Sequence, residues 1–241
     1  MESSWREQLA DNNNFNQKVE YDVNKIEQYL KEVIKDLDHL NPFYTLAAVY
    51  EFTKFFEKFS SALSMGFQDI TEKVEHMREL FKLYPEATDI QSLCAIERKK
   101  NIFSLNGDNN SSLGFKTEPM KKYVSACRTF LRLLWFLEYI VYICEEILKD
   151  PDGKGDFKKI LANGYNDVLS PRHSWLVRKA VNVALTFSSS SQVSAAVKII
   201  FNFDKYTDEA REKIQQITKL IREVWEGGYD YYKRYDMLEL A

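Results

Sequence analysis

The chain has 241 residues, of which 45% are hydrophobic and 14% aromatic, so it can bury a sizeable core as one large domain or two small ones. Its 33 basic and 36 acidic residues leave a formal net charge of −3. That balance argues against a general nucleic-acid-binding protein, which would carry a strongly basic patch or tail.

The cysteines and the N-terminal residues indicate the cellular compartment of the protein. The three cysteines are odd in number, lie in largely apolar helical contexts and lack metal-site spacing: Cys94, Cys127 and Cys144. This favours a reducing compartment over a disulfide scaffold. The first residues contain no apolar run typical of a secretory signal, and no window reaches the roughly 18 uncharged apolar residues that would cross a bilayer. We therefore expect a cytoplasmic protein without a metal or cofactor.

Helical periodicity dominates the chain, and its 8 glycines and 5 prolines are too few for many hairpins. Residues 1–22 are polar, and we expect them to be loose unless Trp5 anchors them. Apolar repeats then predict helices, in chain order, over about 23–39, 43–63, 65–83, 88–100, 118–149, 156–169, 171–187, 192–202 and 207–226. A capping box formed by Thr88 and Gln91 is expected to begin the fourth of these helices.

Two low-complexity or glycine-containing stretches interrupt this pattern. The segment 104–117 is rich in Asn, Ser and Gly and is predicted to be a mobile loop. Gly227-Gly228 should separate the last helix from an aromatic tail over 229–240. The sequence thus predicts an all-α, single-domain protein of about eight helices over 23–241, preceded by the polar segment 1–22.

An arginine pair lies in the most apolar helix. Arg128 and Arg132 interrupt the run from Ala126 to Ile143, and at a spacing of four residues they share one helix face. Like charges there repel by roughly 0.2–0.5 kcal/mol, and burial raises that cost unless an anion lies between the guanidiniums. The pair therefore predicts a bound anionic group, with structural ion pairs to nearby carboxylates as the alternative.

Two other polar groups are candidate site residues, although each has an ordinary structural alternative. Asp69, Lys73 and His76 share a stripe on the third helix, where an Asp69–Lys73 pair could be no more than an exposed ion pair. His173 lies two residues before Trp175 at the start of a helix that continues apolar. Taken alone, His173 could equally be a capping or core histidine.

Read together, these pieces resemble the glycolipid transfer protein family over roughly residues 40–240. The shared pattern is Asp-x-x-x-Lys, then Arg-x-x-x-Arg in an apolar helix, then His-x-Trp at a helix start. The resemblance implies a two-layer, all-α sandwich that holds one sphingolipid. It also implies that Asp69 accepts hydrogen bonds from the sphingoid amide, that His173 donates to the acyl carbonyl, and that Trp175 docks on membranes.

Two positions are similar to the ceramide-1-phosphate transfer branch of that family rather than to its sugar-binding branch. Lys73 stands where the sugar-binding branch has an Asn, and Arg132 stands where that branch has a sugar-stacking Trp. The segment from Cys127 to Leu133 matches the phosphate-binding branch. The resemblance therefore implies that Lys73, Arg128 and Arg132 hold a phosphomonoester, whose charge and geometry suit guanidinium groups.

The hydrophobic lining for the lipid chains is less specific, because every candidate could instead be ordinary core: Phe55, Phe59, Trp135, Phe136, Ile140, Val177, Val181 and Leu185. We expect a monomer that transfers ceramide-1-phosphate and touches membranes only peripherally and transiently. The alternatives are glycosphingolipid transfer and a sphingolipid sensor or scaffold that does not transfer. An enzyme is not expected, because no phosphate-binding loop, zinc-protease motif or complete phosphatase loop is present.

Overall fold

The computed structural model describes residues 4–16, 20–57, 61–108, 110–114, 116–187 and 191–240. Within these ranges it contains α-helices and short 3-10 and π turns but no β-strand, which confirms the predicted all-α class. The α-helices are α1 (Trp5–Ala10), α2 (Val23–Val33), α3 (Pro42–Glu57), α4 (Ser61–Leu83), α5 (Ile90–Lys99), α6 (Ala126–Leu148), α7 (Phe157–Gly164), α8 (Trp175–Phe187), α9 (Val193–Phe201) and α10 (Asp208–Arg234).

Helix α6 is the centre of the molecule. It packs against α4 and along α10, while α3 packs on α2 and α4, and α8 lies across α4 and α7. Sixteen of its 23 residues are buried, around almost its whole circumference, which is what an apolar helix surrounded by other helices requires. The two arginines are among the seven residues of this helix that are only half-buried.

The predicted break at Gly227-Gly228 is wrong, because α10 continues through both glycines to Arg234. The reason is close packing between helices. A Cβ at Gly228 would lie 2.5 Å from a Leu134 side-chain carbon of α6, and a Cβ at Gly227 would lie 3.2 Å from Leu37 Cβ. These glycines allow α10 to approach its neighbours rather than ending it.

Two predicted helix starts also shift. Asp89, not Thr88, is the N-cap of α5, since its carboxylate accepts the Ser92 N–H at 2.6 Å. Helix α6 begins at Ala126 rather than near 118, because Ser125 has extended backbone and its hydroxyl accepts the Arg128 N–H at 3.1 Å.

The N-terminal residues are more ordered than expected. Residues 5–10 form α1, whose N-cap is Ser4. The Trp5 ring packs edge-on against Phe81 with 5.6 Å between centroids, and Leu9 is buried. The expectation of a loose segment is therefore wrong for this stretch, and Trp5 is the anchor that the sequence suggested.

The segment 104–117 contains a buried polar anchor. The Asn110 side chain donates to the carbonyls of Met120 and Tyr123 at 2.8 and 2.7 Å. Its oxygen accepts the Asn106 N–H at 3.1 Å. These bonds hold the described part of the loop against the start of α6.

Candidate functional site

Two cavities meet at three of the predicted site residues, Asp69, Lys73 and Arg132, which line both. The first, here called the apolar cavity, has a volume of about 380 Å³ and lies between α4, α6, α8 and residues 165–174. The second, here called the charged cavity, has a volume of about 360 Å³ and lies between α4, the start of α6 and residues 106–124. The two cavities share the side chains that divide them.

The apolar cavity has hydrophobic walls and one polar end. Its walls include five of the predicted lining residues: Trp135, Phe136, Val177, Val181 and Leu185. Two others, Phe55 and Ile140, instead border a void of only about 20 Å³ in the core. The remaining candidate, Phe59, lies outside the described residues. Hydrophobic walls with polar groups at one end suit a ligand that is itself amphipathic.

Asp69, Lys73 and His173 form the polar end of the apolar cavity. Asp69 and Lys73 form an ion pair one turn apart on α4, in which the Asp69 side chain stays 66% exposed and that of Lys73 only 19%. The Tyr165 hydroxyl and His173 Nδ1 are 3.1 Å apart. Burial lowers the pKa of the His173 imidazole, and the neighbouring cations Lys73 and Arg132 lower it further. The Asp69 carboxylate acts in the opposite direction, but the net decrease in the pKa of His173 favours the neutral ring.

Arg128 and Arg132 line the charged cavity from α6. Burial lowers the pKa of Arg128 to about 10, and the nearby charge of Arg132 contributes to the decrease. Among the described residues, no acidic side chain lies within 4.0 Å of either guanidinium. The protein's own carboxylates thus do not neutralise the pair by direct contact, and open space lies in front of it.

Arg132 is held by the backbone. Its Nη1 donates to the Arg128 carbonyl at 2.8 Å and to the Leu240 carbonyl at 3.5 Å, and its guanidinium lies 5.4 Å from the Trp135 ring centroid. These neutral partners fix the direction of the side chain without cancelling its charge, so the charge remains available for a ligand.

A buried carboxylate fixes the start of the helix that carries the arginines. Glu97 is fully buried and accepts the backbone N–H groups of Ala126 and Cys127 at 2.6 and 3.0 Å, and the Tyr123 hydroxyl at 2.6 Å. Burial raises the pKa of its carboxyl, although these three hydrogen bonds favour the ionised form. Glu97 and the Ser125 cap together determine where α6 begins and hence where Arg128 points.

The sequence analysis did not assign Arg172 and Tyr165 to the site, although the structure places both in the wall of the apolar cavity. Arg172 pairs with Glu138 at 2.6 Å and lies 5.1 Å from the Trp135 ring, on which Arg132 also packs. The only sequence signal for Arg172 is that it directly precedes His173. Nothing in the local pattern distinguishes Tyr165 from the many other aromatic residues.

Trp175 lies in neither cavity. It begins α8, is 61% exposed and has the Lys179 ammonium 3.9 Å from its ring centroid. Leu176 beside it is 70% exposed, and Val183 on the same helix is also exposed. This part of α8 presents apolar groups to solvent, whereas Val177 and Val181 face the cavity.

Two other kinds of site are not found in the part of the chain that the structure describes. No group of three or more His, Cys, Asp or Glu side chains is arranged to hold a metal ion. No helix there combines the length and hydropathy needed to cross a bilayer.

The chain is also similar in sequence to known proteins. The sequence model of the glycolipid transfer protein family matches residues 40–197. The chain is similar to the ceramide-1-phosphate transfer protein of Mus musculus, with 23% identity over 190 residues that cover 78% of this chain and 81% of the relative. It is 24% identical to that of Danio rerio over 199 residues, which cover 82% and 87%.

Solved structures share the fold at lower identity. Human ceramide-1-phosphate transfer protein in complex with 2:0 ceramide-1-phosphate superposes with a TM-score of 0.76 and 18% identity, covering 92% of this chain and all of that one. A fungal glycolipid transfer protein superposes with a TM-score of 0.60 and 17% identity, covering 99% of both chains. The helices α1 to α10 thus form the two-layer sandwich that these proteins share.

Proposed function

Because this chain belongs to the glycolipid transfer protein family, we propose that it binds one sphingolipid, most specifically ceramide-1-phosphate, and moves it between membranes. The observation that carries this proposal is the position of Arg128 and Arg132. They face an open cavity without a directly contacting carboxylate, and that cavity adjoins an apolar one. The names of the relatives in mouse and zebrafish support the same cargo.

In this proposal the lipid occupies both cavities, with its phosphate in the charged cavity and its amide and chains in the apolar cavity. Lys73, Arg128 and Arg132 would hold the phosphate, whose charge of about −1.5 to −2 near neutrality suits two guanidiniums and an ammonium. Asp69 and His173 would hold the ceramide amide at the polar end of the apolar cavity. Since Lys73 and Arg132 border both cavities, the link between amide and phosphate would pass beside them.

The proposed role of His173 requires a particular tautomer. The Tyr165 hydroxyl donates to Nδ1 across 3.1 Å in this proposal. The neutral ring then carries its proton on Nε2, which is the donor that an acyl carbonyl needs. The lowered pKa of His173 supports the neutral form.

The headgroup, not the chains, would decide which lipid is carried. Each buried CH₂ group gains about 0.8 kcal/mol relative to water, but lipid chains in a bilayer are already out of water. Their move into an apolar cavity is therefore close to neutral. Each charge-assisted hydrogen bond to the phosphate contributes about 1.5–3 kcal/mol, so the charged cavity would supply the selectivity.

A vesicle transfer assay tests this function. Donor vesicles would contain fluorescent ceramide-1-phosphate or fluorescent glucosylceramide, with unlabelled acceptor vesicles in excess. We expect rapid protein-dependent transfer of ceramide-1-phosphate and little transfer of glucosylceramide. Preference for the sugar lipid would support the glycosphingolipid alternative, and binding without movement would support the sensor. Release of inorganic phosphate would contradict the proposal that the protein is not an enzyme.

The remaining features fit a carrier that works alone. We propose a monomeric cytoplasmic protein whose lipid-binding domain covers 23–241, with α1 of the polar segment 1–22 packed against its core. Trp175 and its exposed neighbours on α8 would make transient contact with the membrane surface, since amphipathic aromatic rings favour that interface. No nucleic acid, metal or cofactor enters the proposed function.

A further inference from the structure

His76 lines the charged cavity beside the residues that would hold the phosphate. It lies on α4 three residues after Lys73, on the same helix face. Its side chain is half-buried and shares the cavity with Arg128 and Arg132 of α6. Histidine is the side chain that most readily changes its charge near neutral pH. A histidine in this position can therefore respond to the charge of a ligand.

One hydrogen bond orients the ring of His76. Its Nε2 lies 2.8 Å from the carbonyl oxygen of Val124, two residues before α6 begins. Since a carbonyl can only accept, Nε2 carries a proton and donates it. A neutral ring then has no proton on Nδ1, and this atom has no hydrogen-bond partner among the described residues. Nδ1 can take up a proton without breaking the bond to Val124.

The other charged side chains of the cavity balance one another. Among the described residues that line it, three are acidic and three are basic, and they come from α4, from the loop before α6 and from α6 itself: Asp69, Glu72, Lys73, Asp108, Arg128 and Arg132. A phosphomonoester adds a charge of about −1.5 to −2 near neutrality. The three basic groups would bind it directly, but the occupied cavity then carries a net negative charge. A proton on His76 would offset part of that charge.

We propose that His76 is a further ligand of the phosphate: when a phosphomonoester binds, Nδ1 takes up a proton from solvent and donates a hydrogen bond to a phosphate oxygen. A charge-assisted bond of this kind is about twice as strong as a neutral one. The empty cavity does not have to hold another cation beside the arginine pair, because the proton arrives with the dianion. This inference rests on the proposed function, since it adds a ligand to the phosphate that Lys73, Arg128 and Arg132 would hold.

Isothermal titration calorimetry counts the proton. Short-chain ceramide-1-phosphate is titrated into the wild type at pH 7.5 in buffers of different ionisation enthalpy, and the dependence of the observed heat on that enthalpy gives the number of protons bound. We expect an uptake of between about 0.5 and one proton per lipid, because the complex holds more protons than its free partners. Zero uptake, or release of protons, would overturn the inference.

The variant His76→Gln makes the test specific, because a glutamine amide can still donate to the Val124 carbonyl but cannot titrate. We expect it to lose the proton uptake and to bind ceramide-1-phosphate about tenfold more weakly at pH 7.5. His39→Gln, at an exposed histidine that lines neither cavity, is the matched control and should keep the uptake and affinity of the wild type. Undiminished uptake in His76→Gln would contradict the assignment.

The affinity for the lipid should also depend on pH. Because binding takes up a proton, the affinity of the wild type falls as the pH rises from 6.5 to 8.5. In His76→Gln the affinity should stay constant or rise over this interval, since the free phosphate loses its second proton with a pKa of about 6 and the dianion is attracted more strongly by the arginines. If His76 only tethered α4 to Val124, its replacement would change the affinity but not this slope, and equal slopes would overturn the inference.

His173 is the other histidine near the phosphate site, because the charges of Lys73 and Arg132 influence its pKa. Nitrogen-15 NMR of histidine-labelled wild type separates the two rings, since the chain has three histidines. We expect the lipid to convert His76 Nδ1 from the unprotonated to the protonated form, while the His173 ring stays neutral. Protonation of His173 alone would assign the proton to the amide site and overturn the inference. This measurement does not depend on the folding of a variant.

The outcomes separate this inference from the function on which it rests. Binding of ceramide-1-phosphate without protonation of His76 would remove the inference and leave the proposed function in place. Failure of the lipid to bind to the wild type would remove both. Inorganic phosphate in excess should not displace the lipid, because it lacks the amide and the chains. Effective displacement would show that the cavity serves a soluble phosphate compound, and it would contradict the proposed function as well.

Discussion

Among the described residues, Arg132 forms no ion pair that would support the fold, and we propose that it acts through its charge. Its hydrogen bonds go to backbone carbonyls, and Trp135 packs beside it. Burial lowers the pKa of its guanidinium, which reflects the cost of holding this charge in a partly apolar environment. The same desolvation increases its attraction to an anionic ligand.

Replacement of Arg132 by Leu should strongly weaken recognition of the phosphate while preserving the fold. We expect the loss of about 1.5–3 kcal/mol in binding of ceramide-1-phosphate, with an unfolding midpoint close to that of the wild type. Equilibrium binding and thermal unfolding measure the two effects. Arg234→Leu, which removes an exposed arginine outside both cavities, is the control. Strong destabilisation by Arg132→Leu would show that the residue is structural.

His173 should make the stability of the protein depend on pH. Burial lowers its pKa in the folded state below the ordinary value of about 6.5, so the unfolded chain binds the proton more readily. Stability that the neutral ring contributes is complete above pH 6.5 and is lost as the pH falls from there through the lowered folded pKa.

Thermal unfolding of His173→Gln between pH 7.5 and 5 tests this dependence. We expect the wild type to lose more stability on acidification than the variant, which cannot titrate at this position. His39→Gln removes an exposed histidine that lines neither cavity and controls for histidine loss itself. Parallel pH profiles for the wild type and His173→Gln would contradict the assigned pKa direction.

At the scale of elements, the close packing of α10 on α6 explains why a glycine lies inside α10. Gly228 lies inside α10 where a Cβ would come within 2.5 Å of Leu134, which is completely buried in α6. The helix accepts the unfavourable propensity of glycine, about 1 kcal/mol relative to alanine, because the backbones must pass close to each other.

Gly228→Ala should therefore destabilise the protein even though alanine favours a helix. We expect a net decrease of about 1–2 kcal/mol in the free energy of unfolding, because overpacking a filled core costs more than the helix gains. Chemical denaturation measures it. Gly227→Ala, where the nearest atom is 3.2 Å away, should have a smaller effect. Equal stability of the two variants would show that Leu134 simply moves aside.

Helix α8 has two apolar faces with different environments. Val177, Val181 and Leu185 line the apolar cavity, while Trp175 and Leu176 are exposed. The spacing of apolar residues in the sequence identifies the face that lines the cavity. A surface helix usually has a polar opposite face. The exposed apolar residues are the reason why we propose that this end of α8 contacts a membrane surface.

For the whole molecule, binding and transfer should be separable activities. Trp175→Ala should slow transfer of ceramide-1-phosphate between vesicles severalfold, because it removes an exposed ring proposed to contact the bilayer. Binding of a short-chain lipid in solution should be unchanged, since Trp175 lines neither cavity. Leu83→Ala, at the exposed C-terminal end of α4, is the control. An equal loss of solution binding would place Trp175 in the site itself.

The sequence by itself determined the helical class, the family and the pairs of charges on single helices. Asp69 with Lys73 and Arg128 with Arg132 are each four residues apart, and the helical repeat alone places such residues on one face. Membership of the glycolipid transfer protein family, suggested by these motifs, is confirmed by the match over residues 40–197. The roles of the individual residues remain predictions.

Only the tertiary structure decided which of these groups share a cavity and which extra groups join them. Arg172 and Tyr165 reach the apolar cavity through the turn before α8, and Asp108 reaches the charged cavity through the loop before α6. The continuity of α10 through Gly227-Gly228 likewise depends on the helices it packs against. Local patterns describe one helix at a time, whereas cavities and close contacts arise between elements that are distant in the chain.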